Sequence, residues 1–508
     1  MVFDYMYRFC RKALWSIALV MTAVVCFLNI LYTSKVESTG YEFVTVSTLF
    51  PRSIPMLVIL VCLLVILSTF REKMETLDEK KLFLSLAAVY TAVAAYLIFN
   101  VDNVIRADAK MVFHTALDVK NGIYKAFQPG QYMYRYPHQL GLMLYDRFLS
   151  AFSENPSFVF FVNFLLVLGI NAISWKISEE LFRDKLTNIL AIILSYAFLP
   201  QLFFILFAYG LIPGFFFLML AFLHMLKYVR TKSIRSFAVM VFGTGIAVLL
   251  KQNFLIGGLA IMICLFLHFL QNRNVRMFAA MTVLTLGMLL PAEGMKVWYG
   301  QIAGVELSNS SPTVLWIAMG TDIDNEMRGP GWYDSSSWNL YNASGYNTQK
   351  ASELGKQKLV ENWNKIKKEP GRAAGFFLEK TISQWCDPMY ESTWSGPLED
   401  CGQHTHTEIL QSIYTGGTWA AGIAGCMKIL CMAIWIFALL FLVIYGKNRT
   451  GWEPMFLYFI GGLLFHTFWE GKSQYTYPYL FVLIPCASYM IAACMQQKLW
   501  CVFRNGKE

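Results

Sequence analysis

A polar run between two long apolar stretches holds the residues best suited to chemistry. It extends from Asp102 to His138, with Asp108 near its start and Arg135 near its end. A carboxylate can accept a proton, and the forked donors of arginine suit a phosphate or a carboxylate. Both side chains would lie where helices leave a bilayer, and a charge there is costly unless it is used or solvated. The pattern therefore predicts a reaction on a substrate that the membrane delivers.

The composition is that of a polytopic membrane protein. Of the 508 residues, 56% are hydrophobic, 16% aromatic and only 15% charged, and the mean hydropathy is +0.46. So few charges cannot cover a soluble surface. We predict an all-α fold of about 12 transmembrane helices, since a span needs roughly 20 apolar residues. The apolar stretches lie near residues 13–33, 53–70, 82–100, 156–175, 186–205, 207–226, 236–250, 254–270, 277–297, 420–445, 454–469 and 477–495.

The distribution of lysine and arginine predicts the orientation, because these residues favour cytoplasmic loops. Both termini are predicted to be cytoplasmic, and the net charge of +9 follows from this topology without a nucleic-acid partner. The basic loops lie near residues 71–81, 176–185, 227–235, 273–276 and 447–449, and the tail adds Lys498, Arg504 and Lys507. The predicted units are a transmembrane module (1–299) with a catalytic extracytoplasmic loop at about 101–155, an extracytoplasmic segment (300–418) and a C-terminal transmembrane module (419–508).

Two of the eleven cysteines, Cys386 and Cys401, fall in a segment that is predicted to face outside. An oxidising compartment permits a disulfide between them. The sequence does not show whether their Cβ atoms meet. The pair is therefore a disulfide candidate, with two free thiols as the alternative.

The histidines do not predict a metal site. His404 and His406 alternate on a polar loop near Asp400 and Glu408, but a third ligand is not defined. The chain also has no Walker-type glycine loop, no Rossmann fingerprint and no HExxH motif. A site for a soluble nucleotide sugar is therefore unsupported.

Several short stretches carry a resemblance to known proteins, and they lie at residues 108–116, 122–124, 131–141, 250–253 and 466–475. They resemble the GT-C superfamily of membrane glycosyltransferases, in particular the bacterial protein O-mannosyltransferase and aminoarabinose transferase-like group. The resemblance covers the whole chain in layout and these stretches in detail. It implies inverting transfer of a single sugar from a polyprenyl-phosphate donor to an acceptor on the outer side of the membrane.

The resemblance also implies a catalytic residue. Members of the family use an acidic residue in the first large outside loop, and the matching position is Asp108. Its role would be general base toward the acceptor hydroxyl. Asp102 is the rival, because it lies nearer the end of the span. Some relatives require a divalent metal ion, so an ion at Asp108 stays open as a cofactor.

The remaining site residues follow from the charge of the leaving phosphate, which needs cations as the glycosidic bond breaks. The predicted phosphate-binding residues are Arg135, Lys251 and Lys472. The predicted substrate contacts are Tyr134, Tyr136, His138 and Glu470. For Glu470, an ion pair with Lys472 is the plainer interpretation.

The predicted location is the bacterial plasma membrane, with the active site outside. The partners would be membrane lipids, the polyprenyl-phosphate sugar and an acceptor glycan, lipid or protein. The sugar, the prenyl length and the acceptor stay open. A secondary transporter is one alternative, although it should show repeated halves and ionisable groups at mid-span. A lipid-linked polysaccharide polymerase or ligase is another, and it would move an oligosaccharide instead of one sugar.

Overall fold

The computed structural model describes residues 2–496, which are mostly helical. Long apolar runs form helices because a membrane offers the backbone no other hydrogen-bond partners. The tail cations Lys498, Arg504 and Lys507 lie outside the described residues. The first elements are α1 (Val2–Leu31), β1 (Tyr32–Val36), β2 (Val44–Thr48), α2 (Ser53–Thr69), α3 (Arg71–Thr76) and α4 (Glu79–Phe99).

Three short helices follow α4 and carry the first polar run. They are α5 (Ala107–Lys120), α6 (Tyr132–Arg135) and α7 (Leu140–Ser150). Asp108 lies in the first turn of α5, and Arg135 is the last residue of α6. A second, smaller apolar cluster holds these helices in place, and it includes Val112 of α5, Leu142 of α7 and Tyr299.

The remaining long helices pack mainly around one large apolar cluster. The middle of the chain forms α8 (Pro156–Phe182), α9 (Lys185–Ala197), α10 (Pro200–Phe203), α11 (Leu211–Thr231), α12 (Ile234–Leu250), α13 (Leu255–Asn272) and α14 (Val275–Ala303). The segment after α14 forms α15 (Val314–Gly320), α16 (Ser336–Ala343), α17 (Thr348–Lys368), α18 (Pro370–Trp385) and α19 (Glu408–Tyr414). The last elements are α20 (Thr418–Phe441), α21 (Glu453–Phe468), α22 (Tyr477–Phe481) and α23 (Ile484–Met495).

Each apolar stretch that the sequence indicates is helical. Within residues 2–496, seven helices are long and apolar enough to cross a membrane, or nine if each of two bent pairs is one span. The bent pairs are Lys185–Ala197 with Pro200–Leu206, and Ser473–Phe481 with Ile484–Met495. Helices α2 and α12 are apolar but shorter. The larger count of about 12 spans stays a prediction.

The β-hairpin is an addition to the predicted all-helical fold. Its strands are antiparallel, with Tyr32 opposite Thr48 and Val36 opposite Val44. It lies against the end of α18, where the Ser34 hydroxyl donates to the Ile382 carbonyl oxygen at 3.1 Å. The sequence does not predict it, because two five-residue strands between apolar helices look like an ordinary loop.

The two candidate cysteines are not joined, which agrees with the alternative of two free thiols that the sequence left open. Cys386 and Cys401 are both free thiols. Cys386 is fully buried in a cluster with Leu28 and Ile382 beneath the hairpin. Cys401 is exposed and lies beside the guanidinium of Arg106. The hairpin and α18 hold one thiol in an apolar cluster, while the other lies on an exposed turn.

Candidate functional site

Asp108 is held at a fixed position by the residue pair before it. The Arg106 guanidinium lies 4.0 Å from the centre of the Trp394 ring, and its Nε donates to the Gly396 carbonyl oxygen at 3.1 Å. Ala107 has a φ of 52°, in the left-handed region that side chains rarely adopt. The Asp108 side chain is open to solvent although protein surrounds it. The carboxylate is thus accessible at the surface while protein atoms lie densely around it.

Charged side chains from distant parts of the chain act on Asp108. The protein atoms around the carboxyl displace water and raise its pKa above the ordinary value. Lys472, Arg135 and Lys251 lower the pKa, and Glu42 raises it. The net shift is upward, toward the range in which a carboxylate works as a general base. We call these interacting residues the charge cluster: Asp108, Arg135, Lys251, Glu470, Lys472 and Glu42.

Lys472 is held between two carboxylates. Its Nζ forms an ion pair with Glu42, which lies between the two strands of the hairpin, and is 3.9 Å from Glu391 Oε1. Burial lowers the pKa of Lys472, but Glu42 and Glu391 outweigh it and the net pKa is well above its usual value. The carboxylate in direct contact is therefore Glu42, and not Glu470 as the sequence suggested. Lys472 remains a cation at any physiological pH.

Lys251 lies between two aromatic rings. Its Nζ is 4.4 Å from the centre of the Tyr209 ring and 4.7 Å from that of Tyr475. Gly210 permits this approach, because a Cβ there would collide with the carbonyl oxygen of Leu250. Burial and then Lys472 lower the pKa of Lys251 to about 7. The ring faces compensate part of its lost hydration.

Arg135 is also held by aromatic faces. Its guanidinium carbon lies 4.1 Å from the centre of the Trp338 ring and 5.2 Å from that of Tyr136. Within residues 2–496, its buried Nε has no hydrogen-bond partner. The guanidinium is thus oriented by stacking and keeps donors free for an anion.

A cavity of about 210 Å³ adjoins the charge cluster and is called the lysine cavity here. Its lining includes Lys251, His138, Glu470, Trp316, Trp469 and Tyr475. The two tryptophan rings are parallel within 2° and 5.9 Å apart. Flat aromatic faces beside polar groups suit a ligand with one apolar and one hydrogen-bonding side, as a sugar ring has.

Two further residues of the lysine cavity, His138 and Glu470, have pKa values that bear on binding. Burial, then Lys251 and Lys296, lower the pKa of His138 to about 4, so its ring is neutral near pH 7. Burial raises the pKa of Glu470 to about 7, although Lys472 opposes the shift. His138 therefore supplies a hydrogen bond and no charge, whereas Glu470 can change its charge near neutral pH.

Asp102, Tyr134 and His406, which the sequence offered as candidates for a base, a substrate contact and a metal ligand, lie apart from the charge cluster. Both carboxylate oxygens of Asp102 are engaged, one by the His404 backbone N–H at 2.8 Å and the other by His406 Nε2 at 3.2 Å. Tyr134 is buried away from Asp108, near Glu306. No group of three histidine, cysteine or acidic side chains in residues 2–496 is arranged to hold a metal ion. The structure thus gives Asp102 and His406 a role in joining two loops.

The stretch at residues 466–475 is locked in place by buried polar contacts. Lys380 of α18 is 1% exposed, and its Nζ donates to the carbonyl oxygens of Gly320, Thr467 and Trp469. Asp387 accepts from the Ser473 hydroxyl at 2.7 Å. These contacts join the ends of α15 and α21 to α18, and they fix Glu470 and Lys472 relative to the rest of the site.

Sequence reasoning did not find Glu42 and Glu391. Glu42 lies in a loop whose direction depends on the hairpin, and Glu391 follows α18 in a turn-rich segment. Glu391 accepts a hydrogen bond from Gln474 Nε2 at 3.1 Å and is 1% exposed. A buried acidic residue carries no pattern of its own in a single sequence, so only the fold reveals it.

The helices and the composition define an integral membrane protein whose polar residues gather where several helices end. Residues 5–495 match the model of a family described as "Conserved hypothetical integral membrane protein", and the chain belongs to this family. A comparison with curated proteins finds no match.

Proposed function

We propose that the protein is an inverting glycosyltransferase. It would move one sugar from a polyprenyl-phosphate donor to an acceptor hydroxyl at the extracytoplasmic face of a bacterial plasma membrane. The observation that carries the proposal is the convergence of Asp108 with three cations, Arg135, Lys251 and Lys472, from separate parts of the chain. One base and a cationic region for a leaving phosphate are the two requirements of this reaction.

The proposed step is a single displacement. The acceptor oxygen attacks the anomeric carbon while the bond from that carbon to the phosphate oxygen breaks. The acceptor proton passes to Asp108, and the bonding electrons leave with the polyprenyl phosphate. Arg135 and Lys251 stabilise the developing phosphate charge. Because Lys472 is paired with Glu42, its contribution is to orient the cluster and to set its potential.

The lysine cavity supports a sugar as the transferred group. It joins the aromatic faces of Trp316 and Trp469 to the polar groups of His138 and Glu470. The neutral state of His138 suits hydrogen bonding to a hydroxyl. Asp108 is also the better candidate for the base than Asp102, because both carboxylate oxygens of Asp102 already accept hydrogen bonds.

The test is sugar transfer in membranes supplied with radiolabelled polyprenyl-phosphate sugars. Asp108→Asn should lower the rate by about 100-fold or more, the usual range for loss of a general base. Asp118→Asn is the matched control, since it lies on the same helix and outside the charge cluster. Asp102→Asn should keep most of the rate at equal expression.

Three other results would indicate a different base or a different function. If Asp102→Asn alone abolished transfer, the base would move to that residue. Release of oligosaccharide-extended products would indicate a polymerase or ligase. If the intact protein consumed no donor while a labelled solute crossed the membrane, the glycosyltransferase proposal would fail in favour of a transporter.

A further inference from the structure

A second and larger cavity lies between the hairpin and two apolar helices. Its volume is about 440 Å³, and it is called the lateral cavity here. Its walls come from β1 and β2, the start of α2, the segment after α18 and the first half of α20. None of the residues of the charge cluster lines it. The lateral cavity therefore shares no residue with the charge cluster, although Glu391 of its lining contacts Lys472.

Exposed apolar side chains lie beside the lateral cavity. Arg52 is exposed and directly precedes α2, whose Ile54 and Val58 are exposed at 50% and 55%. Trp419 at the start of α20 is exposed at 54%. Exposed aliphatic side chains indicate contact with lipid, and tryptophan favours the headgroup region. The lateral cavity therefore lies beside a surface that suits contact with lipid.

The charge in the cavity lining is unbalanced toward the positive. Lys428 is 2% exposed, and its Nζ donates to Asn29 Oδ1 at 3.1 Å and to the Cys386 carbonyl oxygen at 3.2 Å. Both partners are neutral, and within residues 2–496 Lys428 forms no ion pair with a carboxylate. A buried cation with only neutral partners is costly, and an anion beside it would lower that cost.

The acidic residues of the cavity are already engaged. Asp387 accepts from Ser473 Oγ at 2.7 Å and from the backbone N–H groups of Met389 and Glu391 at 2.9 and 2.8 Å. Glu391 accepts from Gln474. Within the described chain, Arg52 of the lining forms no ion pair. A third cation of the lining, Lys35, is paired with Glu37 at 2.9 Å. Arg52 and Lys428 thus remain available to a ligand, whereas the carboxylates do not.

The remaining lining is amphipathic. Hydroxyl side chains of the hairpin, such as Thr33 and Thr45, lie on one side. Small residues of α20, Ala421 and Ala424, lie on the other and leave room along the helix. A ligand that fits has an anionic, hydroxylated head and an apolar chain.

We propose that the lateral cavity binds an anionic glycerophospholipid with a hydroxylated headgroup. The phosphate would lie between Arg52 and Lys428, the headgroup hydroxyls against the hairpin, and an acyl chain along Ala421 and Ala424. Such lipids are a general component of membranes and are recognised by basic pockets between helices. The cavity would then fix the hairpin, and with it Glu42, against α20.

The test is lipid binding to the purified full-length chain by native mass spectrometry, which does not depend on sugar transfer. The probes are phosphatidylglycerol, phosphatidylcholine and a polyprenyl phosphate. Arg52→Gln and Ala424→Phe should each weaken phosphatidylglycerol binding by about fivefold or more. The matched controls are Lys110→Gln, an exposed cation elsewhere, and Cys426→Phe on α20 outside the lining. Both controls should stay within about twofold of the unaltered chain.

Three results would overturn the proposal. Equal retention of phosphatidylcholine and phosphatidylglycerol would show that charge is not recognised. Equal weakening by Ala424→Phe and Cys426→Phe would show that the cavity itself is not the binding site. If Ala424→Phe weakened the binding of polyprenyl phosphate and left that of phosphatidylglycerol unchanged, the cavity would be assigned to the donor lipid instead. The melting temperature of each variant separates loss of binding from loss of folding.

Discussion

Lys472 forms its ion pair with Glu42, from the loop of the N-terminal hairpin, and not with Glu470, which is two residues before it. The pair connects the beginning of the chain to its last helices. The Lys472 and Glu42 side chains are 15% and 8% exposed, so water screens their attraction only weakly. The hairpin is therefore a structural part of the charge cluster.

The first prediction concerns this ion pair. Glu42→Gln should destabilise the protein by about 3 kcal/mol, because removing one partner leaves a buried charge incompletely compensated. Lys472→Met should cost a similar amount. The double variant should be more stable than the sum of the two single effects, as a double-mutant cycle in detergent would show. Strictly additive effects would contradict a direct pair.

The second prediction concerns the dependence of transfer on pH. The pKa of Lys251 is lowered to about 7, so its positive charge is lost as the pH rises through that value. The pKa of Asp108 is raised, so the base becomes protonated at a higher pH than an ordinary aspartate does. The rate should therefore fall on both sides of an optimum.

Lys251→Arg separates the contribution of this lysine. An arginine stays charged above pH 12, so the alkaline limb of the rate profile should move upward by more than about one pH unit. Glu470 titrates in the same range, and Glu470→Gln serves as the comparison. An alkaline limb that moves in Glu470→Gln and not in Lys251→Arg would assign the titration to the glutamate.

The third prediction concerns Gly210. A Cβ at this position would collide with the carbonyl oxygen of Leu250, so Gly210→Ala must shift the backbone next to Tyr209 or next to Lys251. We expect a loss of about 1 to 3 kcal/mol, as for other overpacked sites, with a lower melting temperature. Gly375→Ala on α18 is the control, because nothing lies within 4 Å of its added Cβ. A melting temperature that does not change in Gly210→Ala would refute the close approach.

The fourth prediction concerns sidedness. Cys401 is exposed and Cys386 is buried, and both are free. In intact cells, a membrane-impermeant maleimide should label a variant that keeps only Cys401 and should not label one that keeps only Cys386. Labelling of Cys401 only after the cells are opened would reverse the predicted orientation. A reagent that crosses membranes provides the control for expression.

The parts of the site that sequence could predict are those at the ends of apolar runs. Asp108, Arg135, Lys251 and Lys472 each stand out as charges beside a long apolar stretch, and the structure brings them together. Whether they perform transfer stays a prediction. The helical stretches were predictable for a similar physical reason. The length of an apolar run is read from local sequence, and a helix satisfies its backbone hydrogen bonds within the same segment.

The contacts that join distant segments were not predictable. Glu42 reaches Lys472 only because two short strands pair. The sequence does not distinguish Asp102 from Asp108 as the candidate base. The distinction comes from the hydrogen bonds that Asp102 accepts from the loop at His404 and His406. Both cases depend on tertiary contacts, for which a single sequence carries no periodic signal.

The three carbonyl contacts of Lys380 have a consequence for biogenesis. They connect α15 and α18 to the end of α21, so they can form only after α21 has been made. Asp108 emerges from the ribosome far earlier and has no Lys472 near it until then. A nascent or truncated chain therefore carries an incomplete cluster. If the proposed transfer takes place at this site, it can begin only after these last segments have been made.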